Sequence, residues 1–335
     1  MARRKSSRGR NKIQPAVQTL TFYVTVPSGA STHYLDVNQV TSLLNRRFYR
    51  QGLNNAIAGF KILSNPGFTG GAVISKLPNT WVMSNAWEKT FRAWQKMNNA
   101  ALAEAPSVRP KFLDFKIYAD ATHHQAGFGS NLLPVSLTGT ASPGEWESSK
   151  IVVPLTDGTD NAFSRELIAV GANYPGNGAS GLNALSLIEG YAASRGLPNV
   201  LDPNVPADAS DANGGAPQNW MAAMFNEGTD QDDLVLDDMV SENNLAPYPF
   251  ENDGVNVDTM YPGGANQLSG LQIHDFEFIT GTTIGGTTRL KGGNFPCGLI
   301  RFDFTNNTET DIISLQVDLV PGNHRGYLCE PMTEM

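Results

Sequence analysis

The segment DIISLQVDLV, residues 311–320, alternates in character without interruption. Ile313, Leu315, Val317 and Leu319 fall on one side of an extended chain, and Ser314, Gln316 and Asp318 on the other. A period of two residues belongs to a strand with one face in a core and the other in water. Residues 19–26 (TLTFYVTV) repeat the pattern, setting Leu20, Phe22, Val24 and Val26 against Thr19, Thr21, Tyr23 and Thr25. Pro27-Ser28-Gly29 ends that run. Further strands are expected at 56–64, 71–77, 111–120, 149–154, 164–171, 270–279, 287–291 and 297–304. Strands separated by Gly- and Pro-rich loops, with no regular alternation of strand and helix, predict an all-β antiparallel sandwich or barrel.

Three helices are expected to decorate it. One runs from a Ser84 cap to about residue 104, with Trp87, Phe91, Trp94, Ala101 and Leu102 on one stripe. Aromatic residues at helical spacing favour core packing over a ligand-stacking platform. A second, over 36–50, has Val40, Leu43 and Leu44 on its apolar side and Arg46, Arg47 and Arg50 on its polar side. The third covers 183–195 and is stopped by Gly196. No internal repeat and no second apolar core is evident, so the expected organisation is a 1–14 arm and one domain, 15–335.

With 335 residues, 40% hydrophobic and 17% charged, the chain can bury a sizeable core. Two cysteines are too few for a disulfide scaffold, and no apolar run reaches the roughly 18–20 residues of a membrane helix. The net charge of −8 argues, taken as a total, against a nucleic-acid partner. Its distribution argues the opposite. Residues 1–12 (MARRKSSRGRNK) carry Arg3, Arg4, Lys5, Arg8, Arg10 and Lys12 and no acid. From 196 to 288 there is no Lys or Arg and there are 15 Asp and Glu, while the rest of the chain is close to neutral.

The basic head cannot bury surface and is expected to be disordered until it meets a polyanion. No apolar segment follows its charges, so it is not a secretory signal. It reads as a nucleic-acid-binding arm, a nuclear-import signal or a solvated tail, and the first two can share residues. The acidic stretch at about 196–268 is expected to be a surface insertion, of the length that carries recognition or assembly roles. Its segment DASDANG (208–214) lacks the ligand spacing of a calcium loop, so solvated surface is favoured over a metal site.

Signatures of chemistry are absent from the sequence. There is no GxxxxGK[ST] loop, no GxGxxG after a strand and no GxSxG elbow; residues 178–181 read GASG. His33, His274 and His324 are isolated, and adjacent His123 and His124 diverge in an extended chain. Cys297 and Cys329 form no CxxC pair; a disulfide and two free thiols both remain open. The sequon at Asn306 needs secretion to matter. No catalytic residue, metal or cofactor is expected, and nothing calls for an enzyme.

Four segments carry a resemblance: NTWVMSNAWEKTFRAWQKMN (79–98), KFLDFKIYADATHH (111–124), SLIEGYAASRGLPN (186–199) and DLVPGNHRGYLCEPM (318–332). They resemble the capsid proteins of small circular Rep-encoding single-stranded DNA viruses. The resemblance implies a single eight-stranded jelly roll that assembles with copies of itself into an icosahedral shell. It further implies single-stranded DNA as the packaged partner, a host receptor, a virion location with passage through the host nucleus, and no membrane partner. The expected nucleic-acid contacts are Arg3, Arg4, Lys5, Arg8, Arg10 and Lys12, with Arg46, Arg47 and Arg50 as candidates on the body. The arm chemistry fits a small RNA virus as well, and a β-sandwich lectin is the alternative from another class.

Overall fold

Alternation in sequence becomes alternation in burial. The computed structural model describes residues 15–104, 106–108, 114–136, 139–153, 163–173, 176–194, 220–221, 270–280 and 286–334. In chain order the first elements are β1 (Thr19–Val26), β2 (Gly29–Asp36), α1 (Val37–Asn45), β3 (Leu53–Leu63), β4 (Gly70–Lys76) and α2 (Trp81–Glu104). A middle section holds α3 (Ala121–Ala126), β5 (Val135–Ser136), β6 (Gly139–Thr140), β7 (Ile151–Val153), β8 (Phe163–Ile168), β9 (Ala184–Ser186) and α4 (Leu187–Ser194). The last are β10 (Gln272–Ile279), β11 (Thr287–Phe295), β12 (Leu299–Asn306), β13 (Asp311–Leu319), β14 (Pro321–Gly322), β15 (Gly326–Tyr327) and β16 (Cys329–Pro331).

Two antiparallel sheets pack as a sandwich, curled on one side. One has the order β1-β13-β3-β11, with β16 also on β3, and the other the order β10-β4-β12-β2. The register of β1 on β13 sets Leu20 beside Val317, Phe22 beside Leu315 and Val24 beside Ile313, all buried. From the facing sheet Ile74, Ile300, Phe302 and Phe304 point into the same core. Phe60 meets Phe295 and Phe302 edge-on, at 5.5 and 5.7 Å between centroids. Between the two sheets β10 reaches β11 through side chains: Lys291 N donates to Asp275 Oδ2 at 2.7 Å, and His274 Nε2 lies 3.0 Å from Lys291 O.

Several sequence expectations need correction. Strand β2 was not anticipated, because GASTHYLD opens on small and polar residues; pairing along its whole length with β12 holds it extended. The expected strand at 111–120 does not form over its described residues, where Tyr118 alone makes an isolated bridge, to Ile168. There the backbone is met by side chains instead: Gln51 Oε1 accepts from Ile117 N at 2.8 Å, and Ser149 Oγ from Lys116 N at 2.9 Å. Helix α2 begins at Trp81, not after Ser84. The Thr80 hydroxyl accepts from Met83 N, while Ser84 Oγ donates to Met332 O at 2.5 Å. A second apolar cluster, which patterning did not reveal, lies among α2, α4 and β7–β9 and includes Met83, Trp87, Trp94, Ile151, Leu167, Leu185 and Ile188.

The join between β2 and α1 is a fully buried carboxylate. Asp36 Oδ1 caps α1 by accepting from Asn38 N and Gln39 N at 2.9 and 3.3 Å. Its Oδ2 accepts from Gln51 Nε2 at 2.7 Å and Trp146 Nε1 at 3.0 Å. Burial raises its pKa to about 6 against the opposing pull of those donors. The folded value lies above the unfolded 3.8, so folding favours the protonated form. Its contribution is therefore full below about pH 4 and is lost as pH rises through 6, on the order of 3 kcal/mol. Asp36→Asn does not titrate. Denaturant unfolding should show wild type losing about that much relative to the variant between pH 4 and 7. A difference constant with pH would mean that Asp36 ionises as easily folded as unfolded.

Candidate nucleic-acid interface

The six basic residues of the head, Arg3 to Lys12, lie outside the described residues, as does the acidic stretch apart from Trp220 and Met221. What the structure does define is where the head leaves the body. Val17 N donates to Asn45 Oδ1 at 3.0 Å, and Tyr327 OH donates to Val17 O at 2.6 Å. Asn45 Nδ2 closes the triangle on Tyr327 OH at 2.7 Å, and Gln18 Nε2 reaches Gly326 O at 3.4 Å. The root is thus held by the end of α1 and by the β14–β15 hairpin.

Cations sit directly beside those two elements. Arg46, Arg47 and Arg50 follow α1 and are all exposed; His324 and Arg325 sit in the hairpin turn. The structure corrects the expected placement of the arginines on a helix face. Arg46 takes φ +51, a left-handed conformation that ends α1, and Tyr49 then turns into the core. Arg47 Nη1 donates to Pro15 O at 3.3 Å, directly at the arm's root. The Arg325 guanidinium donates to Phe48 O, and Tyr49 OH donates to Arg325 O at 2.9 Å. Burial, then the charges of Arg325 and Arg50, hold His324 below the usual imidazole range. Burial pushes the Tyr327 phenol up to about 12, so its O–H stays a donor across the physiological range.

Sequence reading missed Arg325 and Tyr327 as members of this corner. They are separated from α1 by more than 270 residues in the chain, and only the closing hairpin brings them back. The arginine trio is legible as charge; its partners are legible only in the fold.

Most other chemistry-bearing side chains lie away from this corner. His123 and His124 are buried on helix α3, not in an extended chain as the sequence suggests, and meet different partners. His123 Nδ1 accepts from Ala119 N at 3.1 Å, which places the ring proton on Nε2, facing Asn131 Oδ1 at 2.8 Å. Burial lowers its pKa to about 3. His124 Nε2 lies 2.8 Å from Glu166 Oε2, and Ser148 Oγ donates to Oε1 at 2.6 Å. Burial pushes Glu166 up, but the bonds from His124 and Ser148 outweigh it and hold the carboxyl below its usual range. Cys297 and Cys329 are free thiols, both pushed up by burial, Cys329 to about 12. Among the described residues no group of three His, Cys, Asp or Glu is placed to hold a metal ion, and no helix is long and apolar enough to cross a membrane. Comparison with known proteins finds no matching family model, no similar curated protein and no similar solved structure.

Tyr327→Phe removes one hydroxyl from the triangle at the root. Loss of two buried-side hydrogen bonds should cost about 1–2 kcal/mol. Amide exchange at Val17 and Gln18 should accelerate severalfold. Unchanged exchange there would show that the hydroxyl does not hold the arm's root.

Proposed function

We propose that this chain is a viral coat protein that self-assembles into an icosahedral shell and packages single-stranded DNA through its basic head. The observation that carries the reading is the coincidence of charge and topology: a head with six cations and no acid leaves the body at a corner that carries four exposed or turn-borne arginines and a histidine. The two sheet orders, β1-β13-β3-β11 and β10-β4-β12-β2, support a single eight-stranded jelly roll, an architecture used by capsid and lectin domains. The resemblance of the four sequence segments to capsid proteins of circular Rep-encoding single-stranded DNA viruses selects the first of those uses. Nothing in the head distinguishes DNA from RNA, so the choice of DNA rests on that resemblance.

In this reading Arg3, Arg4, Lys5, Arg8, Arg10 and Lys12 bind phosphates and release counterions, giving affinity without sequence preference. Arg46, Arg47, Arg50 and Arg325 extend the track onto the body. With about sixty copies, the heads supply roughly 360 positive charges, too few for a genome of more than a thousand phosphates. Either more copies assemble, or body residues and mobile cations supply the rest. The acidic stretch, with 13 carboxylates between 196 and 268 and no Lys or Arg, would repel the packaged strand, so the same reading puts it on the outer side or at a symmetry axis.

Negative-stain microscopy of the purified chain should show hollow spheres; a small oligomer with glycan affinity would favour a lectin instead. Six phosphate contacts predict a slope of about −4 in log affinity for single strands against log salt. Deleting residues 2–12 should flatten that slope and lower packaged nucleic acid while shells still form. Shells that package equally well without the head would remove its assigned role. Nuclease typing of the packaged strand separates DNA from RNA.

A further inference from the structure

The register of the first sheet sets its outward side chains in rows. Asp318, Gly59 and Lys291 form one row across β13, β3 and β11, and Gln316, Lys61 and Arg289 form the next. All six are exposed or half-buried, while Val317, Phe60 and Leu290 between them point into the core. Three cations therefore stand together: Lys61 is about 5 Å across the ladder from Arg289, and Lys291 is about 7 Å along β11 from it. The carboxylate in these rows, Asp318, is already taken, by Lys61 Nζ at 2.7 Å and by the Thr19 hydroxyl at 2.6 Å. Arg289 and Lys291 make no ion pair with any described residue.

Like charges directly opposite each other destabilise a ladder. Charge on an edge strand guards it against pairing with other chains, which accounts for cations on β11. It does not account for a lysine that faces them from the inner strand β3. An anion laid over the three would remove the conflict. The rows also begin beside the arm. Thr19, across from Asp318, follows Val17 by two residues, and Val17 is the root held by Asn45 and Tyr327. The head with its six cations thus departs from the end of the sheet that carries these three. One row further along, level with Leu63, Tyr23 is 63% exposed, so its ring is open to solvent.

We propose that the outward face of the β1-β13-β3-β11 sheet is a second, body-borne site for single-stranded nucleic acid. The strand that leaves the head lays its phosphates on Lys291, Arg289 and Lys61 and stacks a base on Tyr23. A cationic track beside an exposed aromatic ring holds single strands without sequence preference. The inference rests on the nucleic-acid reading of the head and deepens it: the face that binds the strand is the face that lines the shell interior.

Arg289→Gln combined with Lys291→Gln, in the full chain, removes two contacts and relieves the repulsion on Lys61, so folding should be unharmed. Affinity for a labelled oligo-deoxythymidine strand is measured between about 50 and 200 mM salt; two lost contacts make the wild-type fall about sevenfold larger than the variant's. Equal falls overturn the face and leave the head as the binder. Absence of binding by the wild type even at the lowest salt overturns both. Lysine acetylation of the unmodified chain tests the face without substitution. Lys61 and Lys291 should be protected severalfold in filled shells and reactive in empty ones. Equal protection in both means that a neighbouring copy covers the face, and equal reactivity means that nothing does; either result overturns the proposal. An iodouracil-bearing strand should crosslink to Tyr23, and crosslinks confined to residues 1–12 overturn the base contact.

Discussion

A buried polar network holds the sandwich to the elements packed on it, and Asp36 is its centre. The carboxylate takes two donors from its own helix and one each from Gln51 and Trp146. Gln51 passes the connection on by accepting from Ile117 N. A parallel link runs from Tyr34 OH to Asp120 at 2.7 Å and from Arg301 to the same carboxylate at 3.0 Å. Buried polar groups tolerate few arrangements, because each unpaired atom is costly in a low-dielectric interior. The placement of α1, of the segment before α3 and of the loop bearing Trp146 follows from that demand more than from apolar contact, which has no direction of its own.

The basic corner is a by-product of the same geometry. Helix α1 ends where it does because Arg46 adopts a left-handed turn, and the C-terminal hairpin closes over that end through Tyr49 and Tyr327. The arm's root, three arginines after α1 and one in the hairpin are gathered by a few hydrogen bonds between segments from opposite ends of the chain. Concentrating cations where a polycationic head departs makes one continuous field, stronger than either part alone.

The alternating strands were legible because a two-residue period reports burial directly: residues 313–319 and 20–26 bury the side chains that their patterns name. Strand β2 was not, since its extended form comes from β12 and not from its own side chains. The stretch before Tyr118 has a strand's composition, but partners from Gln51 and Ser149 meet its backbone, and no local pattern records them. Arg46, Arg47 and Arg50 were read in the right neighbourhood on the wrong element, as a single left-handed residue decided where the helix stopped. Trp87 lies in the core that its helical spacing predicts; that its N–H lacks a partner among the described residues is visible only in three dimensions. The head needed no structure to be noticed, because a run of unopposed cations is a property of sequence alone.

The pairing order of the strands sets a timetable for synthesis. Among the described residues β1 has β13 as its sole ladder partner and β2 has β12, so the first two of these strands to be made wait for nearly the last. At about 5–20 residues per second, roughly 15–60 s separate the emergence of β1 from that of β13. Throughout that interval TLTFYVTV, alternating and free of charge, is exposed on the ribosome with both edges open. Such a segment pairs readily with its own kind on neighbouring chains. Where many copies are translated close together, the rate at which chains emerge and the chaperones that cover them would govern the yield of folded protein as much as its final stability does.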